Sequence, residues 1–273
     1  MATVRIVQLV LRQYGISASA IKRLNRGPDA VFKVTAGKRD YVLRFAKTSK
    51  TLRAQGVLLA ALTGHSAPVP AVIPTKAGKL FTVDQNCSAL LLSYVQGEPL
   101  GLRISTPVAK AVGKSLGMLH RALSAIGGSS NAPNSLRRAT IHADITRENS
   151  IRTQGGIVFI DFGDAHSATV VQDLAIASTQ LFITRTNGLD LKGLTVFLGA
   201  YDGVFPLNRV EAAKVLPLMK KRNRDLIAEF GKKRDASSKS ITASARTKLA
   251  LLSEHAPALR NAIACSIRSA RSL

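Results

Sequence analysis

A chain of 273 residues, 46% of them hydrophobic, can bury a sizeable core, as one large domain or as two lobes sharing a cleft. Its 39 Lys and Arg against 16 Asp and Glu give a net charge of +23, which favours anionic ligands. Yet aromatics at 5%, no tryptophan and no helix-turn-helix, zinc or RNA-binding signature leave nucleic acid only as a non-specific partner. No apolar run is long enough for a membrane span, Met1-Ala2-Thr3-Val4-Arg5 opens no secretory signal, and Cys87 and Cys265 show no metal spacing. A cytoplasmic protein with two buried free thiols is the expectation.

In chain order, residues 2–13 place Val4, Val7, Val10 and Leu11 at helical spacing before a Tyr14-Gly15 stop. Ile21 to Leu24 precede a turn over residues 25–29, and two strands follow, Ala30–Thr35 and Tyr41–Phe45. Thr51 to Leu62 has Leu52, Leu58, Leu59 and Leu62 on one side of a helix, and Pro68-Val69-Pro70 closes the segment. Leu80–Val83 and Ala89–Val95 are two more strands. Pro107 to Ala122 is an amphipathic helix, with Val108, Val112, Leu116, Leu119 and Leu123 on one face. Gly127 to Arg138 is a loop.

The chemistry gathers in Thr140–Ala165. This stretch holds His142-Ala143-Asp144, Asn149 five residues later, and Asp161-Phe162-Gly163 after a short apolar run. Ser150–Thr153 and Ile157–Ile160 are β-prone and flank Gln154-Gly155-Gly156. A two-residue turn at Gly155-Gly156 would set Ser150 opposite Asp161 and bring Asn149 beside it. An amide oxygen and a carboxylate would then meet near Asp144. Such a trio suits phosphoryl transfer: Asn149 and Asp161 supply hard oxygen ligands for Mg²⁺, and Asp144 orients and deprotonates a hydroxyl. Charge is apportioned accordingly. Residues 1–93 hold 14 basic and 3 acidic residues and 209–273 hold 15 and 5, but 94–208 hold 10 and 8, half of all the acids.

These residues resemble the signature of the aminoglycoside phosphotransferase superfamily, whose relatives include choline kinase and the second type of homoserine kinase. The resemblance implies an α+β, bilobal protein-kinase-like fold. A small antiparallel-sheet N-lobe would span 1–93 and a larger, mostly helical C-lobe 94–273. It also implies ATP and Mg²⁺ as cofactors and a small-molecule hydroxyl as acceptor, an amino alcohol or a hydroxyamino acid such as homoserine before an aminoglycoside. Asp144 would be the catalytic base, and Asn149 and Asp161 the metal ligands. Arg44 stands where the family's phosphate-gripping strand cation falls, a role arginine fills bidentately. Leu90–Leu100 is similar to the hinge, where the Ser93 and Val95 main chain would meet the adenine edge.

Other matches are structural. His120 lies at a frequent family position on its helix and is assigned no chemistry, and Asp173, in Asp173-Leu174-Ala175, caps a helix behind the catalytic loop. Leu194–Tyr201 and Glu211–Leu226 are helical, and the second, with Arg222, resembles the late helices that complete the acceptor pocket. Gly231–Ser240 is a basic, serine-rich loop, and 243–271 forms one or two closing helices. Two features depart from the pattern. The phosphate-covering turn has a single glycine, Gly27, followed by proline, and Gln55 is neutral where the helix usually carries an acid. These leave two rivals to an active kinase: a nucleotide-binding pseudokinase or scaffold, and a basic nucleic-acid-binding protein.

Overall fold

The computed structural model describes residues 4–25, 30–46, 49–84, 87–127, 135–186 and 188–267. The Gly27 turn lies outside the described residues. The chain divides into two compact units, Met1–Gln96 and Gly97–Leu273.

The first unit opens with helix α1 (Val4–Gln13), whose Val7, Val10 and Leu11 are buried. Strands β1 (Ala20–Arg23), β2 (Val31–Ala36) and β3 (Arg39–Ala46) lead to helix α2 (Ser49–Gly64), then β4 (Thr82–Asp84) and β5 (Cys87–Ser93). The five strands form one antiparallel sheet in the order β1-β2-β3-β5-β4. Alternation along β2 and β3 sends Phe32, Val34, Leu43 and Phe45 inward against the apolar stripe of α1. Tyr14, at the end of α1, donates its hydroxyl to the Ala89 carbonyl (3.1 Å), and burial pushes that phenol up to about 12. On β3, Arg44 is half-buried, paired with Val31 on one side and Leu90 on the other.

The second unit is mostly helical. Its elements are β6 (Glu98–Pro99), α3 (Thr106–Gly127), β7 (Arg138–Ile141), β8 (Ser150–Thr153), β9 (Gly156–Phe159), β10 (His166–Thr169), α4 (Val170–Phe182), β11 (Ile183–Thr184), β12 (Gly188–Leu189), α5 (Leu191–Asp202), α6 (Arg209–Phe230), α7 (Ala236–Glu254) and α8 (Ala256–Ser266). Of the predicted stripe of α3, Val112, Leu116, Leu119 and Leu123 are buried and Val108 is half-buried, and α3 lies directly on α5 because two glycines allow it. A methyl group on Gly113 would sit 2.3 Å from the Phe197 carbonyl oxygen, and one on Gly117 would sit 2.8 Å from Val204 Cβ. Among the described residues, no helix is long and apolar enough to cross a membrane.

Four details differ from expectation. In the β8–β9 hairpin Thr153 pairs with Gly156 and Ser150 with Phe159, so the turn is Gln154-Gly155 and Ser150 does not face Asp161. The Thr153 hydroxyl sets this register: it accepts from the Gly155 amide (3.2 Å) and donates to the Gly156 carbonyl (3.0 Å), while Gly156 takes φ 133°. The basic loop after α6 is shorter than predicted, because Asp235 caps α7 by accepting from the Ser238 amide (2.9 Å) and hydroxyl (2.6 Å). Cys265 is exposed rather than buried, since it falls on the outer face of α8. Asp173 is not a helix cap: it lies within the first turn of α4, and Thr169 holds the N-cap position.

Candidate active site

The predicted catalytic loop, His142 to Asn149, joins β7 to β8. Backbone amides fix its entrance. The buried Asp173 carboxylate accepts from the His142 N–H (2.7 Å) and the Ala143 N–H (2.8 Å). Ala143 is held at φ 68°, a left-handed conformation that costs alanine about 1–2 kcal/mol. Asp173 in turn receives His120 Nε2–H (3.2 Å), and His120 Nδ1 meets the Tyr201 hydroxyl (2.7 Å). Burial would raise the Asp173 carboxyl, but the hydrogen bond from His120, the charges of His120 and His142 and the His142 amide outweigh it and lower it. His120 is thus a satisfied packing residue, as expected, and also a link from α3 to the loop.

His142 carries the next stage. Its Nε2–H donates to the Ile160 carbonyl (2.9 Å), and its Nδ1 accepts from the Asp144 N–H (3.3 Å). A carbonyl only accepts and an amide only donates, so when the ring is neutral these two bonds select its Nε2–H tautomer. The ring packs on Phe162 at 4.4 Å between centroids, which ties the loop to Asp161-Phe162-Gly163.

Asp144 is half-buried. Asn149 Nδ2 donates both to its carboxylate Oδ2 (2.8 Å) and to its main-chain carbonyl (3.0 Å). With Nδ2 so used, Asn149 has Oδ1, an acceptor suited to a cation, as its remaining side-chain group. Desolvation raises the Asp144 carboxyl, the charges of Asp164 and Asp161 add to this, and His142 and Arg222 oppose it; the net direction is up. Asp161 is exposed, sits in the left-handed region (φ 65°, ψ 72°) and accepts from the Gly163 N–H (3.3 Å). The Asn149 carbonyl accepts from Ile160 N–H (3.0 Å), which carries the hairpin one residue past its last pair and sets Asp161 beside the loop despite the shifted register. Strained, exposed acids at the end of a rigid hairpin are a pattern of functional sites.

The structure therefore brings Asp144 and Asn149 into contact and places Asp161 and Asp164 within electrostatic reach of Asp144. Among the described residues, no group of three or more His, Cys, Asp and Glu could hold a metal ion. The donor set instead fits a divalent cation bound through few protein oxygens, with phosphates and water completing its shell. Three clustered carboxylates repel one another, and such a cation would offset that cost.

The first unit places its expected residues separately. The Ser93 N–H donates to the Ala71 carbonyl (2.9 Å) and the Ser93 hydroxyl accepts from the Ala71 N–H (2.9 Å), so this amide is already used. Tyr94 N–H is taken by Asp40 O (3.2 Å), whereas Val95 makes no backbone hydrogen bond among the described residues. Gln55 is buried, and its Oε1 has no hydrogen-bond partner among the described residues.

Arg147 was not singled out from the sequence. Its guanidinium closes the far end of the loop, donating to Gly101 O (3.2 Å), Gln180 O (2.7 Å) and Leu181 O. Burial lowers its proton affinity. The mark in the sequence was an arginine between Asp144 and Asn149, but its partners lie more than thirty residues away, two in α4 and Gly101 ahead of α3. Beside Arg147 is an open cavity of about 660 Å³, lined by residues including Leu102, Ile104, Phe182 and Asp190. Asp144, Asn149 and Asp161 do not line it.

Solved structures of similar fold define the class first. An amicoumacin kinase, hAmiN, in complex with AMP-PNP, Ca²⁺ and Ami superposes with a TM-score of 0.72 at 14% identity, covering 90% of this chain and 93% of that one. A microcompartment-associated aminopropanol kinase gives 0.70 at 19% identity, covering 93% and 98%. The fold is the expected protein-kinase-like α+β fold. The sequence model of the APH phosphotransferase enzyme family matches residues 20–133 and 128–205, and the chain belongs to that family. A homoserine kinase from Neisseria meningitidis serogroup B (strain ATCC BAA-335 / MC58) is 38% identical over 84 residues, 30% of this chain and 28% of that enzyme. The chain thus matches little more than a quarter of that relative's length.

Proposed function

We propose that this chain transfers the γ-phosphoryl group of ATP, bound with Mg²⁺, to a hydroxyl of a small molecule. The observation that carries this is the Asp144–Asn149 pair, fixed on a clamped loop with Asp161 and Asp164 in electrostatic reach. Asp144 orients the acceptor hydroxyl and takes its proton, and its raised proton affinity suits that task. Asn149 aims the Asp144 carboxylate through Nδ2 and offers Oδ1 to the metal, with Asp161 as the second ligand. Held by Asn149 Oδ1 and Asp161, Mg²⁺ would supply the positive charge that offsets the phosphate oxygens. In the first unit we assign Arg44 to the nucleotide phosphates and the Ser93 and Val95 main chain to the adenine edge. The Ser93 amide is engaged, so recognition there falls to carbonyls and to the Val95 backbone.

The acceptor we favour is an amino alcohol or a hydroxyamino acid such as homoserine, and the segment shared with homoserine kinase supports the second. Two measurements test the proposal. AMP-PNP with Mg²⁺ at about 100 times its Kd should stabilise the protein by roughly 2.7 kcal/mol, and Asp161→Ala should abolish that shift. Asp144→Asn should lower turnover by a factor of about 100 or more. No nucleotide shift would leave a scaffold, and salt-steep DNA binding indifferent to Asp161→Ala would favour the nucleic-acid rival.

A further inference from the structure

Buried cations in proteins are normally paired with an acid, because removing a charge from water is expensive. The second unit departs from this next to the catalytic loop. Lys248, on α7, is 7% exposed, and among the described residues its hydrogen bond goes to a neutral acceptor, Gln180 Oε1 (2.6 Å). Arg222, on the adjacent α6, has a buried Nε with no hydrogen-bond partner among the described residues, and Asn223 Oδ1 and Thr242 Oγ1, on the same two helices, are likewise buried without partners among them. Arg147 completes the group, and its bonds all go to carbonyls.

These cations sense one another. Burial, then the charges of Arg147 and Arg222, bring Lys248 down to about 8, with Glu148 alone opposing. Glu148 is exposed and forms no ion pair with the three among the described residues. Arg222 also acts on the Asp144 carboxyl. Positive charge therefore runs from the α6–α7 contact to the proposed base, and an anion is the group that would complete it.

We infer that the acceptor carries a carboxylate, held by Lys248 and Arg222 while its hydroxyl lies at Asp144. This deepens the proposed function and rests on it. It selects hydroxy acids and hydroxyamino acids over plain amino alcohols, and it disfavours polycationic aminoglycosides, which the same cations would repel.

Matched acceptors differing only in the carboxylate test this on the full chain: L-homoserine against 3-aminopropan-1-ol, and L-serine against ethanolamine. With ATP and Mg²⁺, the acid of a productive pair should exceed its neutral partner by about 10- to 100-fold in kcat/KM, the value of a charge-assisted hydrogen bond or two. Lys248→Met and Arg222→Gln should each raise KM for the acid by a larger factor than KM for its neutral partner. A neutral partner that matches or beats its acid in the wild-type protein overturns the inference, and this comparison needs no variant to fold. If no pair turns over, melting is read with AMP-PNP and Mg²⁺ present. Acids that raise it above their neutral partners support the carboxylate site, and acids that do not overturn it. A protein that does not respond to the nucleotide removes the kinase proposal and this inference together.

Discussion

Two helix pairs in the second unit are built on opposite terms. The α3–α5 pair is close-packed: Gly113 and Gly117 let the helices approach, Phe197 and Tyr201 are fully buried, and the Tyr201 hydroxyl is bonded to His120. Ser124 Oγ is the one buried α3 atom without a partner among the described residues. Among the described residues, the α6–α7 pair encloses Arg222 Nε, Asn223 Oδ1 and Thr242 Oγ1 without partners, beside a lysine bonded to an amide. The first pair stabilises the fold. The second carries a cost that packing alone would remove, and such a cost persists where a ligand uses the groups.

The largest effect should come from spoiling the close pair. Gly113→Ala puts a methyl group against the backbone at Phe197, where little can yield, and should cost about 1–3 kcal/mol in urea unfolding. Gly117→Ala meets the side chain of Val204 and should cost less.

Next comes relief in the open pair. Lys248 has a folded pKa of about 8 against an ordinary 10.5, so the unfolded chain binds more protons between those values and wild-type stability should rise with pH across that window. Lys248→Met should abolish this rise and add on the order of 1 kcal/mol at pH 7, checked by melting from pH 7 to 10.5. Loss of stability at pH 7 would mean that the lysine is structural.

A smaller gain should follow Asp144→Asn. The Asp144 carboxyl is raised, so its contribution to stability is full below the ordinary 3.8 and lost as pH rises through the folded value. The asparagine variant should therefore melt higher than wild type at pH 7, an advantage that disappears below about pH 4, while activity falls. Ala143→Gly should have the smallest effect, a gain of about 0.5 kcal/mol, as relief at φ 68° is partly offset by glycine's greater unfolded-state freedom.

Much of the fold was legible because its signals are local. The stripe Val108–Leu123 predicted α3, and the β-prone runs about Gln154-Gly155-Gly156 predicted a hairpin. The hairpin register was not legible, since the Thr153 hydroxyl chose between adjacent turns. Within the candidate site, Asp144, Asn149 and Asp161 stood out by spacing along one stretch. Arg147 and Lys248 did not, and Arg222 stood out only through the resemblance of its helix, because the three converge from a loop and two helices about a hundred residues apart. In a chain of 39 basic residues, three more carry no signal until the fold brings them together. Asp173 was read as a helix cap because Asp often is one, and only the structure reveals that the amides it receives belong to the loop.

Both ends of that loop are fastened to one helix. Asp173 holds its entrance and the Gln180 and Leu181 carbonyls hold its exit through Arg147. The separation of these anchors is set by helix rise, seven residues at about 1.5 Å each, or roughly 10 Å. Helix α4 thus works as a ruler for a loop it is not part of. A residue inserted between Asp173 and Gln180 would lengthen the ruler and turn one anchor by about 100° relative to the other. The loop would lose one of its two fastenings although none of its own residues had changed.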